Sequence, residues 1–134
     1  MTELGELSLG ASLLLRGPDS QYQLRASICP RCGDVRVPQR QWCPNDSTPC
    51  DQVGLSGAGT IYEAVNVLIP PQGFDAPFWA GYIDLDEGAR FFAQIACAEG
   101  ENPPRHGDRV QMKVEWIGTG QRRVLAPVFA RVAT

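Results

Sequence analysis

The sequence lacks any run of roughly 20 apolar residues, the length that a helix needs to cross a bilayer. Its first 15 residues include Glu3 and Glu6 and no basic segment, so they do not resemble a signal peptide. These two observations predict a cytoplasmic protein with no membrane association.

An excess of positive charge is also missing. The chain has 12 basic and 15 acidic residues and a net charge of −3. A protein that neutralises many phosphates needs a basic surface. The composition therefore argues against a nucleic-acid partner.

Motifs for independent catalysis are absent. There is no Gly-x-Ser-x-Gly nucleophile elbow and no glycine loop that cradles phosphate. Cys97 lies on an apolar strand face and the single histidine, His106, in a polar loop, so we do not expect a nucleophile–base pair. Asp84, Asp86 and Glu87 suit a solvated hairpin end better than an acid pair or a cation site. We expect no activity from the chain alone.

Alternating apolar residues predict a mainly β protein. Residues 4–15 fit either element, and we favour a short helix followed by an extended segment. A half-buried strand is expected over 22–28. Five more strands follow, over 57–69, 78–84, 89–98, 110–116 and 122–132. In the first of these five we expect Ile61, Val65, Val67 and Ile69 to share one face. Five such strands suit a small Greek-key OB-fold barrel.

Four of the five cysteines crowd into residues 29–50 (Cys29, Cys32, Cys43 and Cys50). In a reducing compartment such clustering favours a metal site over disulfides. Cys29-Pro-Arg-Cys32-Gly33 is a zinc knuckle, and thiolate sulfur favours zinc or iron. We predict a structural zinc in a rubredoxin-like ribbon. The domains are then 1–53, an N-terminal segment with the zinc ribbon, and 54–134, the OB-fold barrel.

The fourth ligand has three interpretations. Cys43-Pro-Asn-Asp46 has the shape of a second knuckle, but Asp46 stands where a cysteine is expected. We favour Cys50 as the fourth ligand, with Asp46 as the alternative because carboxylate oxygen also binds zinc. The third interpretation is a degenerate site without metal. An iron-bearing electron carrier would need four thiolates, so Asp46 argues against it.

The order and spacing of several segments resemble the family first catalogued as domain of unknown function 35, from about Leu24 to Pro127. The matching segments are Cys29-Pro-Arg-Cys-Gly33, Pro38, Cys43-Pro44, Ser56-Gly-Ala-Gly-Thr-Ile-Tyr62, Pro70-Pro-Gln-Gly-Phe74, Ala76-Pro-Phe78, Asp84-Leu-Asp-Glu-Gly88 and Gly107-Asp-Arg-Val110. Asp46 departs from the family pattern, which usually has a fourth cysteine there.

The resemblance implies a non-catalytic accessory subunit of a thiolase, aldolase or acyltransferase that acts on acyl-CoA thioesters. It also implies a hetero-oligomer in which the barrel contacts acyl-CoA and the ribbon docks the partner enzyme.

A stiff loop with exposed aromatics would suit a protein partner or an acyl chain, and guanidinium groups match CoA phosphates. The residues we predict for these contacts are Gly73, Phe74, Phe78, Trp79, Arg105 and Arg109. The alternatives are aromatics folded back over the barrel and ordinary surface arginines. The competing function is a single-strand nucleic-acid-binding module, since OB-folds bind strands with stacking aromatics.

Overall fold

The computed structural model describes residues 13–17, 21–69, 78–117 and 124–132, and within these ranges every regular element is a β-strand. The nine strands are β1 (Leu14–Arg16), β2 (Tyr22–Ile28), β3 (Val35–Arg36), β4 (Asp51–Leu55), β5 (Ala58–Val67), β6 (Phe78–Leu85), β7 (Arg90–Ile95), β8 (Arg109–Ile117) and β9 (Val124–Arg131). The predicted mainly β class is confirmed.

The first four strands form a small sheet centred on β2. This strand pairs antiparallel with β1 at Leu14↔Leu24, with β3 at Ile28↔Val35 and with β4 from Leu24↔Leu55 onward. The end of β2 delivers the chain to Cys29, as the alternation of Tyr22–Ile28 predicts. The sheet therefore holds the cysteine segment at one end of a paired strand.

The last five strands close into a barrel in the order β5-β6-β7-β9-β8. All neighbours are antiparallel except β7 and β9, which pair in parallel at Gln94↔Val128 and Ile95↔Phe129. A closed five-stranded barrel with this crossover is the OB-fold architecture. The sequence prediction of an OB-fold barrel is confirmed.

A β-bulge in β5 overturns the predicted single face of that strand. The pairing with β6 shifts between Ile61 and Glu63, so one residue is inserted and the later side chains change sides. Ile61 is fully buried, whereas Val65 is 45% and Ile69 is 90% exposed. Gly81 pairs with Ala64 just beyond the bulge, where a Cβ atom would clash with the carbonyl oxygen of Glu63.

One hydrophobic core connects the sheet and the barrel. Leu14, Leu24 and Leu55 of the sheet belong to the same buried cluster as Ile61 and Phe129 of the barrel. The small sheet is therefore packed on the barrel and shares its stabilising apolar contacts.

The predicted domain boundary between residues 53 and 54 falls inside β4, and the barrel begins at Ala58; the division itself stays a prediction. Most of the expected N-terminal helix lies outside the described residues, and β1 covers its extended continuation. Among the described residues, no helix has the length and apolar character that crossing a membrane requires.

Candidate metal centre and barrel surface

The first knuckle is a tight turn fixed by its own backbone. The N–H of Gly33 donates to the carbonyl oxygen of Cys29 at 2.8 Å, and the N–H of Cys32 points at Cys29 Sγ at 3.4 Å. Gly33 has a φ of +79°, a conformation that glycine adopts without steric cost. The turn brings the sulfur atoms of Cys29 and Cys32 to the same side.

The second knuckle has the same turn geometry, although a different residue type stands at its second ligand position. The N–H of Ser47 donates to the carbonyl oxygen of Cys43 at 2.9 Å, and the N–H of Asn45 points at Cys43 Sγ at 3.4 Å. Ser47 has a φ of +62° and takes the place of Gly33. Asp46 consequently occupies the position that Cys32 holds in the first knuckle.

The two knuckles face each other and bring four ligand atoms together. One ligand atom each from Cys29, Cys32, Cys43 and Asp46 lies within 4.8 Å of all the others. Cys32 Sγ is 3.7 Å from Cys43 Sγ, and Cys29 Sγ is 3.6 Å from Asp46 Oδ1. Three sulfurs and one carboxylate in this arrangement can hold a metal ion.

Cys50 lies outside this group, although we predicted it from the sequence as the fourth ligand. Its Sγ points at the carbonyl oxygen of Thr48 at 3.7 Å, and its N–H donates to Gln41 at 2.9 Å. Burial raises the pKa of the Cys50 thiol, which keeps it neutral. The structure therefore brings together the alternative set, with Asp46.

Local hydrogen bonds favour the anionic forms of two of the four candidate ligands. The pKa of Cys29 is lowered, chiefly because the backbone N–H of Cys32 donates to its sulfur. The pKa of Asp46 falls to about 2, chiefly because the backbone N–H of Thr48 donates to its carboxylate. Burial instead raises the pKa of Cys43 to about 11. Metal binding must therefore displace a proton from Cys43.

The predicted partner contacts lie in different settings. Gly73 and Phe74 fall outside the described residues. Trp79 is half-buried and packs against the core. Phe78 is half-buried and, with Phe92 and Pro127, lines an apolar pocket of about 240 Å³.

The two predicted arginines differ as well. Arg109 donates to both carboxylate oxygens of Asp86, at 2.7 and 2.9 Å, and to Thr60 Oγ1 at 3.0 Å. Arg105 is exposed, and its backbone N–H donates to Asp108 at 3.0 Å. Arg109 is thus held as part of the barrel, whereas the Arg105 side chain faces solvent.

Cys97 and His106 have separate partners. The Cys97 thiol points at the carbonyl oxygens of Ala98 and Asn102, at 3.7 and 3.6 Å. His106 Nδ1 lies 2.7 Å from the carbonyl oxygen of Tyr62, which can only accept a hydrogen bond. The contacts of these side chains do not make them a nucleophile–base pair.

The carboxylates of the acidic hairpin, residues 84–88, form ion pairs and hydrogen bonds on the barrel surface. Asp84 binds Arg90 at 2.6 Å, Asp86 binds Arg109, and Glu87 accepts from Ser56 at 3.3 Å. These ion pairs and hydrogen bonds match the solvated hairpin end that the Asp-Glu-Gly turn predicts.

The barrel carries an exposed aromatic pair that was not predicted from the sequence. Tyr82 of β6 and Phe92 of β7 lie directly opposite, with ring centroids 5.1 Å apart. They are 43% and 52% exposed. In each strand the residues on either side of the aromatic are buried. The alternation of side chains along the strands could therefore have predicted that Tyr82 and Phe92 are exposed.

Comparison with known proteins gives the family. The family profile for the C-terminal OB-fold domain of ChsH2 matches residues 52–115. A DUF35 domain-containing scaffold protein from Methanothermobacter thermautotrophicus is 31% identical over 96 residues, which cover 69% of this chain and 71% of that protein. The chain belongs to the DUF35 family.

Two further relatives are of similar identity. A DUF35 domain-containing scaffold protein from Methanocaldococcus jannaschii is 35% identical over 86 residues, covering 61% of each chain. Benzoylsuccinyl-CoA thiolase subunit BbsA from Thauera aromatica is 34% identical over 92 residues, covering 68% of this chain and 62% of BbsA. The DUF35 chain described here thus spans about six-tenths of the length of these two relatives.

A solved structure supports the fold. The chain resembles one in the structure titled "Ltp2-ChsH2(DUF35) aldolase" with a TM-score of 0.66 and 22% identity, covering 81% of this chain and 84% of that chain. At this identity the likeness shows that the two chains share a fold.

Proposed function

We propose that this DUF35 protein is a non-catalytic accessory subunit of a thiolase-type enzyme that acts on acyl-CoA thioesters. The observation that carries the proposal is the 34% identity to a protein named as a subunit of benzoylsuccinyl-CoA thiolase. The nucleophile would come from the partner enzyme, in a hetero-oligomer. This chain would contribute interface area and contact the CoA or acyl portion.

The apolar pocket is the part of the barrel best suited to such a contact. Phe78 and Phe92 line it, and Phe92 stacks edge-on against Tyr82 to give an aromatic surface beside it. Aromatic residues in a well-packed patch are typical anchors of protein interfaces. Gly73, Phe74, Trp79, Arg105 and Arg109 remain predicted contacts.

The metal centre is proposed to hold a structural zinc ion. For tetrahedral zinc, bonds of about 2.3 Å to sulfur and 2.1 Å to oxygen imply separations of about 3.8 Å between sulfurs and about 3.6 Å between sulfur and oxygen. The Cys32–Cys43 distance of 3.7 Å and the Cys29–Asp46 distance of 3.6 Å match these values. Zinc would cross-link the two knuckles, with Asp46 rather than Cys50 as the fourth ligand.

None of the five cysteines forms a disulfide. Free thiols beside a thiolate metal site are typical of a reducing compartment. We therefore propose that the protein works in the cytoplasm.

Affinity purification of the tagged chain from its own cells, followed by mass spectrometry, tests the subunit role. We expect a thiolase-like protein in near-stoichiometric amount. The variant Phe92→Ser should lose this partner because it removes an exposed side chain from the pocket. Val132→Ser, at a position of similar exposure outside the pocket lining, should retain it. Recovery of nucleic acid with no acyl-CoA enzyme would contradict the proposal and favour strand binding.

A further inference from the structure

A second cleft lies between the ribbon and the barrel. It has a volume of about 300 Å³ and is lined by Arg36 and Arg40 of the ribbon and by Arg90 beside the β6–β7 turn. Asp34 is the single acidic residue in its lining. Arg36 and Arg90 each pair with a carboxylate, so the cleft carries one uncompensated positive charge, in a chain whose net charge is −3. The local charge is opposite to that of the whole chain.

Two of these arginines are held in place by their neighbours. Arg36 Nε donates to Asp34 Oδ2 at 2.6 Å. Arg90 Nε donates to Asp84 Oδ1 at 2.6 Å, and the Arg90 Cζ atom lies 3.7 Å from the centroid of the Tyr62 ring. Arg90 Nη2 also donates to Asp84 Oδ2 at 3.3 Å. The donors left for a ligand are therefore Nη1 of Arg90 and the two terminal nitrogens of Arg36.

Arg40 is arranged differently. Its backbone N–H donates to Ser27 Oγ at 2.9 Å, and Ser27 is only 2% exposed, so the residue is anchored at its backbone. Its guanidinium group forms no ion pair with a carboxylate of the described residues, in contrast to Arg36 and Arg90. A positive charge at the cleft is therefore left without a counter-ion from the described chain.

We propose that this cleft binds the phosphate group of a small phosphorylated ligand. The planar forks of arginine match phosphate oxygens, and bonds to an ionised acceptor are among the strong hydrogen bonds of proteins. Two of the three forks are already oriented, so binding costs little side-chain entropy. A free phosphorylated metabolite and a CoA thioester present the same phosphate chemistry. The assignment does not depend on the accessory-subunit role.

Binding can be measured on the isolated chain at low ionic strength, with inorganic phosphate and coenzyme A as separate probes. Calorimetry gives the affinity, and ¹H–¹⁵N spectra report the Nε–H signals of Arg36 and Arg90. We expect both signals to shift on titration. The variant Arg40→Gln should weaken binding about tenfold, the loss typical of one charged hydrogen bond. Arg40→Lys keeps the charge but not the fork and should retain part of the affinity.

Lys113→Gln is the matched control, because it removes one positive charge on β8 at a residue paired with Glu115, away from the cleft lining. The affinity of this variant should stay within about twofold of wild type, because salt screens the effect of a distant charge.

The two probes separate the sources of phosphate. Tighter binding of coenzyme A than of phosphate, weakened in Arg40→Gln, supports the cleft and identifies a CoA-type ligand. Equal binding of both probes, also weakened in that variant, supports the cleft for a phosphorylated metabolite in general. Unshifted arginine signals, or equal affinity in wild type and Arg40→Gln, would overturn the assignment. Neither result bears on co-purification with a thiolase-like enzyme.

Discussion

The ribbon, residues 29–50, and the barrel, residues 58–131, differ in what stabilises them. The only buried apolar side chains of the ribbon are those of Cys29 and Cys43, whereas the barrel buries many large ones, including Ile61 and Phe129. Turn hydrogen bonds and candidate metal ligands organise the first region, and apolar burial organises the second. The comparison teaches that one chain can fold its two parts by separate means while sharing a core at their junction.

Metal removal should produce the largest difference in stability between the ribbon and the barrel. In zinc-finger peptides, structural zinc contributes about 10–16 kcal/mol to folding, so a chelator should unfold the knuckles. Hydrogen exchange should accelerate at the amides of Gly33 and Ser47, and the barrel amides should keep their protection. Restored protection on adding zinc is the control. Knuckles that stay protected with no metal bound would contradict the proposed centre.

Phe129→Ala should destabilise the apolar core and leave the metal centre intact. Phe129 is fully buried and lies 6.4 Å from the Phe91 ring, so the variant leaves a cavity. We expect a loss of about 3–5 kcal/mol in the free energy of unfolding, measured with urea. Zinc content in native buffer should be unchanged. Val132→Ala, at a residue 45% exposed, should shift stability by less than about 0.5 kcal/mol. Equal losses in both variants would refute this account of the core.

Ligand substitutions distinguish Asp46 from Cys50. Asp46→Ala should lower zinc affinity at least about 100-fold, since outer-shell changes alone cost about 10–100-fold. Asp46→Cys should restore tight binding, because the second knuckle then matches the first. Cys50→Ser should leave affinity unchanged, since its sulfur lies outside the ligand group. Competition with a chromophoric chelator measures all three. A large loss in Cys50→Ser would instead favour the ligand set first expected from the sequence.

The smallest expected effect concerns an ion pair on the barrel. Hydrogen bonds from Arg109 lower the pKa of Asp86, so the ionised carboxylate stabilises the folded state. This contribution is present above the unfolded pKa of about 3.9 and is lost as pH falls through the lower folded value. Asp86→Asn should cost about 0.2–1 kcal/mol at pH 7 because the pair is exposed.

Urea unfolding at pH 7 and at pH 3 measures this contribution. The difference in the free energy of unfolding between wild type and Asp86→Asn should be smaller at pH 3 than at pH 7. Glu99→Gln, at an exposed turn, is the control and should show no such difference. A difference in the free energy of unfolding that is larger at pH 3 would contradict the lowered pKa of Asp86.

Strict alternation made most of the barrel predictable. In β8, Val110 and Met112 are buried as the period of two requires. The bulge in β5 could not be predicted, because one inserted residue leaves no mark on composition and only the pairing with β6 reveals it. The short strands β3 and β4 were also missed, since they depend on β2 for their hydrogen bonds.

The metal centre could be predicted only in part. The first knuckle was evident from Cys29 to Gly33, and the shape of the second was visible around Asp46. The choice of ligand depended on Ser47 adopting a positive φ, which is uncommon for a residue other than glycine. The arginine cleft had no local signal, because Arg36 and Arg90 come from distant parts of the chain and meet only in the folded protein.

The strand β2 has a mechanical consequence for any assembly that includes this protein. Leu24 and Ala26 anchor it in the common core, and the same strand continues to Cys29 at the candidate metal site. Its seven residues span about 23 Å and are paired on both sides, so the strand acts as a rigid bracket. The ribbon and the barrel would therefore move together, and two partner surfaces bound at the two ends of β2 would keep a fixed separation.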